Sequence, residues 1–144
     1  MAEGTATSAH TLHLKVITPA RSVLDANATS IVVPAFDGEL GVLPGHADLL
    51  ALLGPGVLRL TTPEGNTQRM AIRGGFLQVN HNTVTILTPE SASQTELKPE
   101  ALKAEHDKLH AEKPTKLEER EVLENKLIWL KARERAAQPA GSAH

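Results

Sequence analysis

A change of period near Lys98 limits what this chain can fold into more than any other feature of the sequence. Before it, apolar and polar residues alternate in short runs. In "TLHLKVI" Leu12, Leu14 and Val16 share one face, the mark of a half-buried strand. "SIVVPA", "GVLRLTT", "NTQRMAIR", "GFLQVN" and "TVTILTP" repeat the pattern. Between them "TPEGNT" (62 to 67) and "VNHNT" (79 to 83) supply turns, because Gly65, Asn66, Asn80 and Asn82 tolerate a positive φ or bond their own backbone. Gly74 and Gly75 predict a bulge or a close approach of two backbones. Short strands about ten residues apart predict an antiparallel sandwich or a flattened barrel.

Beyond Lys98 the spacing is helical. Pro99 suits a first turn, and Leu102, His106 and Leu109 recur on one face up to about Ala111. Pro114 disfavours helix at Lys113, and Thr115 with Glu118 predicts a capping box opening a second helix that runs to about Ala137. Leu123, Leu127 and Leu130 form one stripe of that helix, with Val122 and Trp129 about 100° round from it. One stripe can pack on the first helix; the other needs the sandwich or a second protein to cover it. Glycine and charge divide at the same place. Eight of the ten glycines fall between Gly38 and Gly75, and 19 of the 32 charged residues between Lys98 and Arg135.

The expected class is therefore α+β: an antiparallel β-sandwich over residues 10–97, a two-helix antiparallel hairpin over 98–137, and disordered ends at 1–9 and 138–144. A hairpin so charged and so thinly apolar is expected to be weakly held and able to detach, since helices in proteins are stabilised mainly by burying an amphipathic face.

Composition removes several functions. A chain of 144 residues has room for one domain and an appendage. With two Phe, one Trp, no Tyr and a formal charge of −2, it lacks both the stacking platforms and the positive field of a nucleic-acid reader. No cysteine is present, which removes disulfides and thiolate chemistry. The first residues carry no secretion signal or transit-like leader, which points to a bacterium, and no run approaches the roughly 20 apolar residues that cross a bilayer. Membrane association would have to come through partners.

The stretch "DGELGVLPGHADLL" (37 to 50) gathers Asp37, Glu39, His46 and Asp48 within twelve residues. A carboxylate beside a histidine can do acid–base work, but no nucleophile and orienting group answer them. His106 and His110 stand i, i+4 on a helix, yet "HDKLH" lacks the glutamate of the zinc-protease pattern and a third ligand. The glycines of "GELGVLPG" and "LGPGV" match neither GxxxxGK[ST] nor GxGxxG. What remains is a stiff surface loop: a tight turn at Asp37-Gly38, a close backbone approach at Gly41, and a Pro44-Gly45 turn that projects Glu39 and His46 together. Leu40, Val42 and Leu43 are expected to anchor it in the core. Two other readings stay open on the residues alone: a sandwich binding a small ligand under a hairpin lid, and a small hydrolase built around His46.

In order, spacing and length this stretch resembles the signature loop of the epsilon subunits of F-type ATP synthases, E-G-E-L-G, two residues, then P-G-H-A-P-L-L. The likeness extends through "LHLKVITP", "GPGVLRL", "IRGGFLQV", "VTIL" and the closing hairpin. It implies a subunit without an active site, cofactor or metal of its own. Such a subunit binds the gamma subunit and sits on the ring of c subunits, coupling ion flow to ATP synthesis at the cytoplasmic face of the bacterial plasma membrane. The resemblance makes Asp37, Gly38, Glu39, Gly41, Pro44, Gly45 and His46 the contact loop for gamma and the c-ring loops, with Glu39 and His46 foremost. It makes Lys126, Trp129, Lys131, Arg133 and Arg135 the regulatory helix, which can reach into the alpha/beta hexamer and restrain ATP hydrolysis. Some members bind ATP through I/L-D-x-x-R-A; here "LKPEAL" (97 to 102) puts Lys98 in place of the Asp and Ala101 in place of the Arg, implying no tight ATP binding. Asp48 replaces the last proline of the pattern, with no role readable from the sequence.

Overall fold

The structure, a computed structural model, describes residues 11–138; of the expected disordered ends, 1–9 and 138–144, all but Gln138 lie outside the described residues. Eight strands come first: β1 (Leu12–Ile17), β2 (Ser22–Ala28), β3 (Ser30–Ala35), β4 (Gly38–Val42), β5 (Leu49–Thr61), β6 (Thr67–Asn80), β7 (Thr83–Leu87) and β8 (Ser91–Ser93). A 3₁₀ turn (Gln94–Glu96) leads to α1 (Pro99–Ala111) and α2 (Leu117–Ala137). The chain is α+β, a sandwich followed by a helical hairpin.

The strand order is β2-β1-β7-β6-β5-β3-β4, with β8 on β6. Every pairing is antiparallel except β1 with β7, where Leu14 lies opposite Val84 and Val16 opposite Ile86 in parallel. β5 and β6 serve both layers. Their outer halves, around Leu50↔Gln78, continue into β7 and β1, while their inner halves, around Leu58↔Met70, continue into β3 and β8. The alternating residues of both layers meet in one aliphatic core. Leu12, Leu14, Val16, Leu77, Val84 and Ile86 come from one side, and Ile31, Val33, Leu58, Leu60, Met70 and Ile72 from the other.

The long pair changes two expectations. "NTQRMAIR" and "GFLQVN" are one strand, and Gly74-Gly75 is no bulge, because the register runs through it unshifted from Leu53↔Gly75 to Pro55↔Arg73. The close approach is real: a Cβ on Gly75 would lie 1.9 Å from the Leu87 carbonyl oxygen.

The hairpin packs in series. Trp129, Ala132 and Ala136 of α2 bury against Val57 and Ala71 on the outer face of β5 and β6. The other stripe, Leu123, Leu127 and Leu130, closes on Leu102 and Leu109 of α1, so α1 rests on α2 and not on the sandwich core. Val122, expected beside Trp129, is instead 53% exposed: it lies two turns before the point where α2 meets the sheet. The cap falls one residue later than expected. Glu119 reaches back to the Lys116 N–H at 3.4 Å, since the helix opens at Leu117.

Candidate functional site

The loop expected over residues 37 to 46 is half strand. β3 turns at Phe36-Asp37 into β4, whose Glu39 and Gly41 register with Pro34 and Val32. Gly38, at φ +135°, takes a backbone conformation other residues rarely adopt. Strand periodicity then decides the anchors: Leu40 and Val42 point inward and Val42 is fully buried, whereas Leu43 is 60% exposed and anchors nothing. Gly41 serves no close approach, for a Cβ there would meet nothing within 4 Å.

A second turn follows at Pro44-Gly45, closed by the His46 N–H donating to the Leu43 carbonyl at 3.0 Å. It is clamped to the β6–β7 turn from two sides. The Gly45 N–H donates to Asn82 Oδ1 at 2.7 Å, and the His81 N–H donates to Asp48 Oδ1 at 3.1 Å. His81 and Asn82 both have positive φ, 51° and 64°, so Asp48 secures a left-handed turn. That gives the residue departing from the family pattern a structural task, invisible in sequence because its partner lies 33 positions away.

Glu39 and His46 make separate contacts. Glu39 opens β4 and binds Arg59 of β5 at 3.2 Å; His46 lies past the strand's end, its Nδ1 on the Ala47 carbonyl at 2.7 Å. An extended strand advances about 3.3 Å per residue, and that advance separates them.

The four candidate cations on α2 differ. Lys126 is exposed. Arg133 forks onto both carboxylate oxygens of Glu105 in α1, 2.9 Å at Oε1, and that hydrogen bond holds the Glu105 carboxyl below its ordinary range. Arg133 also lies 5.3 Å from the Trp129 ring centre, with Arg73 of β6 at 5.9 Å. Lys131 and Arg135 border a cleft shared with Glu39. Nearby, His106 faces Glu134 at 3.2 Å and stacks on His110. Lys98 stands at the N-cap of α1, its side chain making no cap hydrogen bond.

One surface was not anticipated. Leu52, Phe76 and Leu87 are consecutive cross-strand neighbours on β5, β6 and β7, each half or more exposed. Phe36, 78% exposed, extends the row, its N–H bonded to the Leu52 carbonyl. The signal was present as apolar residues on the polar phase of their strands.

Residues 11–94 match the family model of the β-sandwich domain of ATP synthase delta/epsilon chains. An ATP synthase epsilon chain from Synechococcus sp. (strain JA-2-3B'a(2-13)) is 37% identical over 123 residues, 85% of this chain and 89% of that one. Another, from Leptospira borgpetersenii serovar Hardjo-bovis (strain JB197), is 40% identical over 104 residues, 70% and 81% of the two chains. Among solved structures, a chain of the Euglena gracilis mitochondrial ATP synthase OSCP/F1/c-ring assembly superposes with a TM-score of 0.80 at 26% identity, over 90% of this chain and 82% of that one. A chain of the Tetrahymena thermophila mitochondrial ATP synthase central stalk and c-ring, at 16% identity and a TM-score of 0.63 over 88% and 96%, shares the fold.

Proposed function

The chain belongs to the delta/epsilon-chain family of ATP synthase, and from that membership we propose how it serves the rotor. It is a central-stalk subunit, not itself a catalyst, associated with the gamma subunit and the c ring. The observation that carries this is the match running unbroken through the sandwich, with a named epsilon chain aligned along 85% of the sequence. Among the described residues no helix is long and apolar enough to cross a membrane; on this reading the chain meets the membrane through the c ring.

The sandwich grips two partners. Asp37, Gly38, Glu39, Gly41, Pro44, Gly45 and His46 present the polar contact loop to the c-ring loops at the cytoplasmic face of a bacterial membrane; the exposure of Asp37 and the clamping of Gly45 support this. The row Phe36, Leu52, Phe76 and Leu87 gives gamma an apolar surface, as exposed patches of neighbouring large residues commonly do. α2 leaves the sandwich to reach the alpha/beta hexamer, where Lys126, Lys131, Arg133 and Arg135 meet acidic groups and Trp129 loses its bed on Val57. The small side chains beneath Trp129 support an easily broken contact.

The test is capture of the tagged chain from detergent-solubilised membranes. Gamma and c subunits co-purify with it, and Phe76→Lys reduces gamma recovery several-fold. Recovery of the chain without gamma overturns the proposal.

A further inference from the structure

His106 and His110 stand one turn apart on α1, and their rings stack with centres 4.0 Å apart and planes 23° from parallel. Their surroundings fix which nitrogen of each ring carries the lone pair. His110 Nδ1 lies 2.8 Å from the His106 carbonyl oxygen. A carbonyl only accepts, so the proton of a neutral His110 ring sits on Nδ1 and the lone pair on Nε2. His106 Nδ1 lies 3.2 Å from Glu134 Oε2 on α2, and an ionised carboxylate also only accepts, so the same tautomer follows. Each ring is held on its Nδ1 side, one by a backbone carbonyl and the other by a carboxylate, with Nε2 as the electron-pair donor. Histidine takes this arrangement when it ligates a metal: the partner of the second nitrogen sets the tautomer and raises the basicity of the first. Both rings can be reached from solvent, His106 being 44% exposed and His110 exposed.

Two metal–nitrogen bonds of about 2.1 Å at a tetrahedral angle hold the nitrogens roughly 3.4 Å apart, close to the ring spacing here. We propose that His106 and His110 form a binding site for a borderline divalent transition ion such as zinc, chelated through both Nε2 atoms, with Glu134 as the positioning residue for His106. Imidazole selects such ions over magnesium and calcium, which prefer oxygen. Among the described residues no group of three or more His, Cys, Asp and Glu could hold a metal. Water therefore completes the coordination and the ion exchanges with solvent; it is not a resident cofactor, of which the family resemblance implies none. Chelation across successive turns favours helix in the middle of α1, because an ion that binds only the helical arrangement stabilises it in proportion to its occupancy. The site does not depend on the rotor reading and is testable on the full chain alone.

Zinc chloride is titrated calorimetrically into the untagged full chain, with magnesium chloride at matched ionic strength for comparison, and the histidine ring nitrogens are followed by nuclear magnetic resonance. Zinc is expected to bind saturably, one ion per chain, and to move the Nε2 signals of His106 and His110 together while their Nδ1 atoms keep their protons; magnesium does neither. His106→Gln and His110→Gln each weaken zinc about tenfold or more, as loss of one of two ligands does. Glu134→Ala, which removes no ligand, weakens it by about tenfold through the freed ring. At ten times the dissociation constant, hydrogen exchange of the α1 amides that open locally slows about tenfold, and this slowing is absent in both histidine variants. Unsaturable binding, an equal response to magnesium, or shifts confined to His13, His46 or His81 with the His106 and His110 variants unaffected each overturn the proposal; unchanged affinity in Glu134→Ala overturns the positioning role.

Discussion

At Gly75 there is no space for a side chain: φ is +120° and the Leu87 carbonyl oxygen occupies the place of a Cβ. Gly75→Ala therefore combines a strained backbone with a clash against β7, and we expect the sandwich to lose about 3 kcal/mol or more by chemical denaturation. Gly41→Ala, beside nothing within 4 Å, is expected to change stability by less than about 0.5 kcal/mol. Two glycines that look alike in sequence so separate by what lies opposite them. Glu105 supplies a pH dependence. Its carboxyl is held below the ordinary range by Arg133, so the pair adds stability above the unfolded carboxylate value, about 4.3, and that stability is lost as pH falls through the lower folded value. Protection of the α1 amides against hydrogen exchange, relative to their intrinsic rates, should fall on acidification below about pH 4, and Arg133→Met should flatten that response. The pair is partly open to solvent, with Glu105 35% exposed, so its contribution stays under about 1 kcal/mol.

The elements differ in how far their sequences disclosed them. β1, β3 and β7 announced themselves because one face is buried and one wet, the condition that writes a period of two. β2 did not. "SVLDANA" is an edge strand with little buried before Ala28, so Asp25 and Asn27 break no rule and make no pattern. β4 passed for a loop because its glycines suggest turns, and its strand character comes from β3 across the ladder, not from propensity. The first half of β5, "LLALLG", alternates half-buried and exposed positions that are all apolar, so its periodicity was erased by the surface row it carries. The hairpin's own pairing was legible in its leucines; which stripe met the sheet was not, because that depended on Val57 and Ala71 being small. This last contact is also the most breakable. Ala132→Glu would place a carboxylate 4% exposed position deep in the seam, costing about 2 kcal/mol or more. We expect a larger radius of gyration in solution scattering, faster proteolysis of the hairpin, and an unchanged melting transition for the sandwich.

For the whole molecule, removing residues 98 to 144 tests the regulatory role: ATP hydrolysis by the assembled enzyme should rise, and an unchanged rate would remove the inhibitory part of the proposal while leaving gamma binding untouched. ATP titrated into the full chain should give no micromolar binding, with Lys98 and Ala101 where the nucleotide-binding pattern has an acid and an arginine. The parallel seam between β1 and β7 has its own consequence. β3 to β6 can assemble from neighbouring segments with short loops to close, but the opening strand finds its inner neighbour only when Thr83–Leu87 exists. On the ribosome, the nascent chain must therefore carry its first hairpin, β1 with β2, open along its inner edge until synthesis has passed β7.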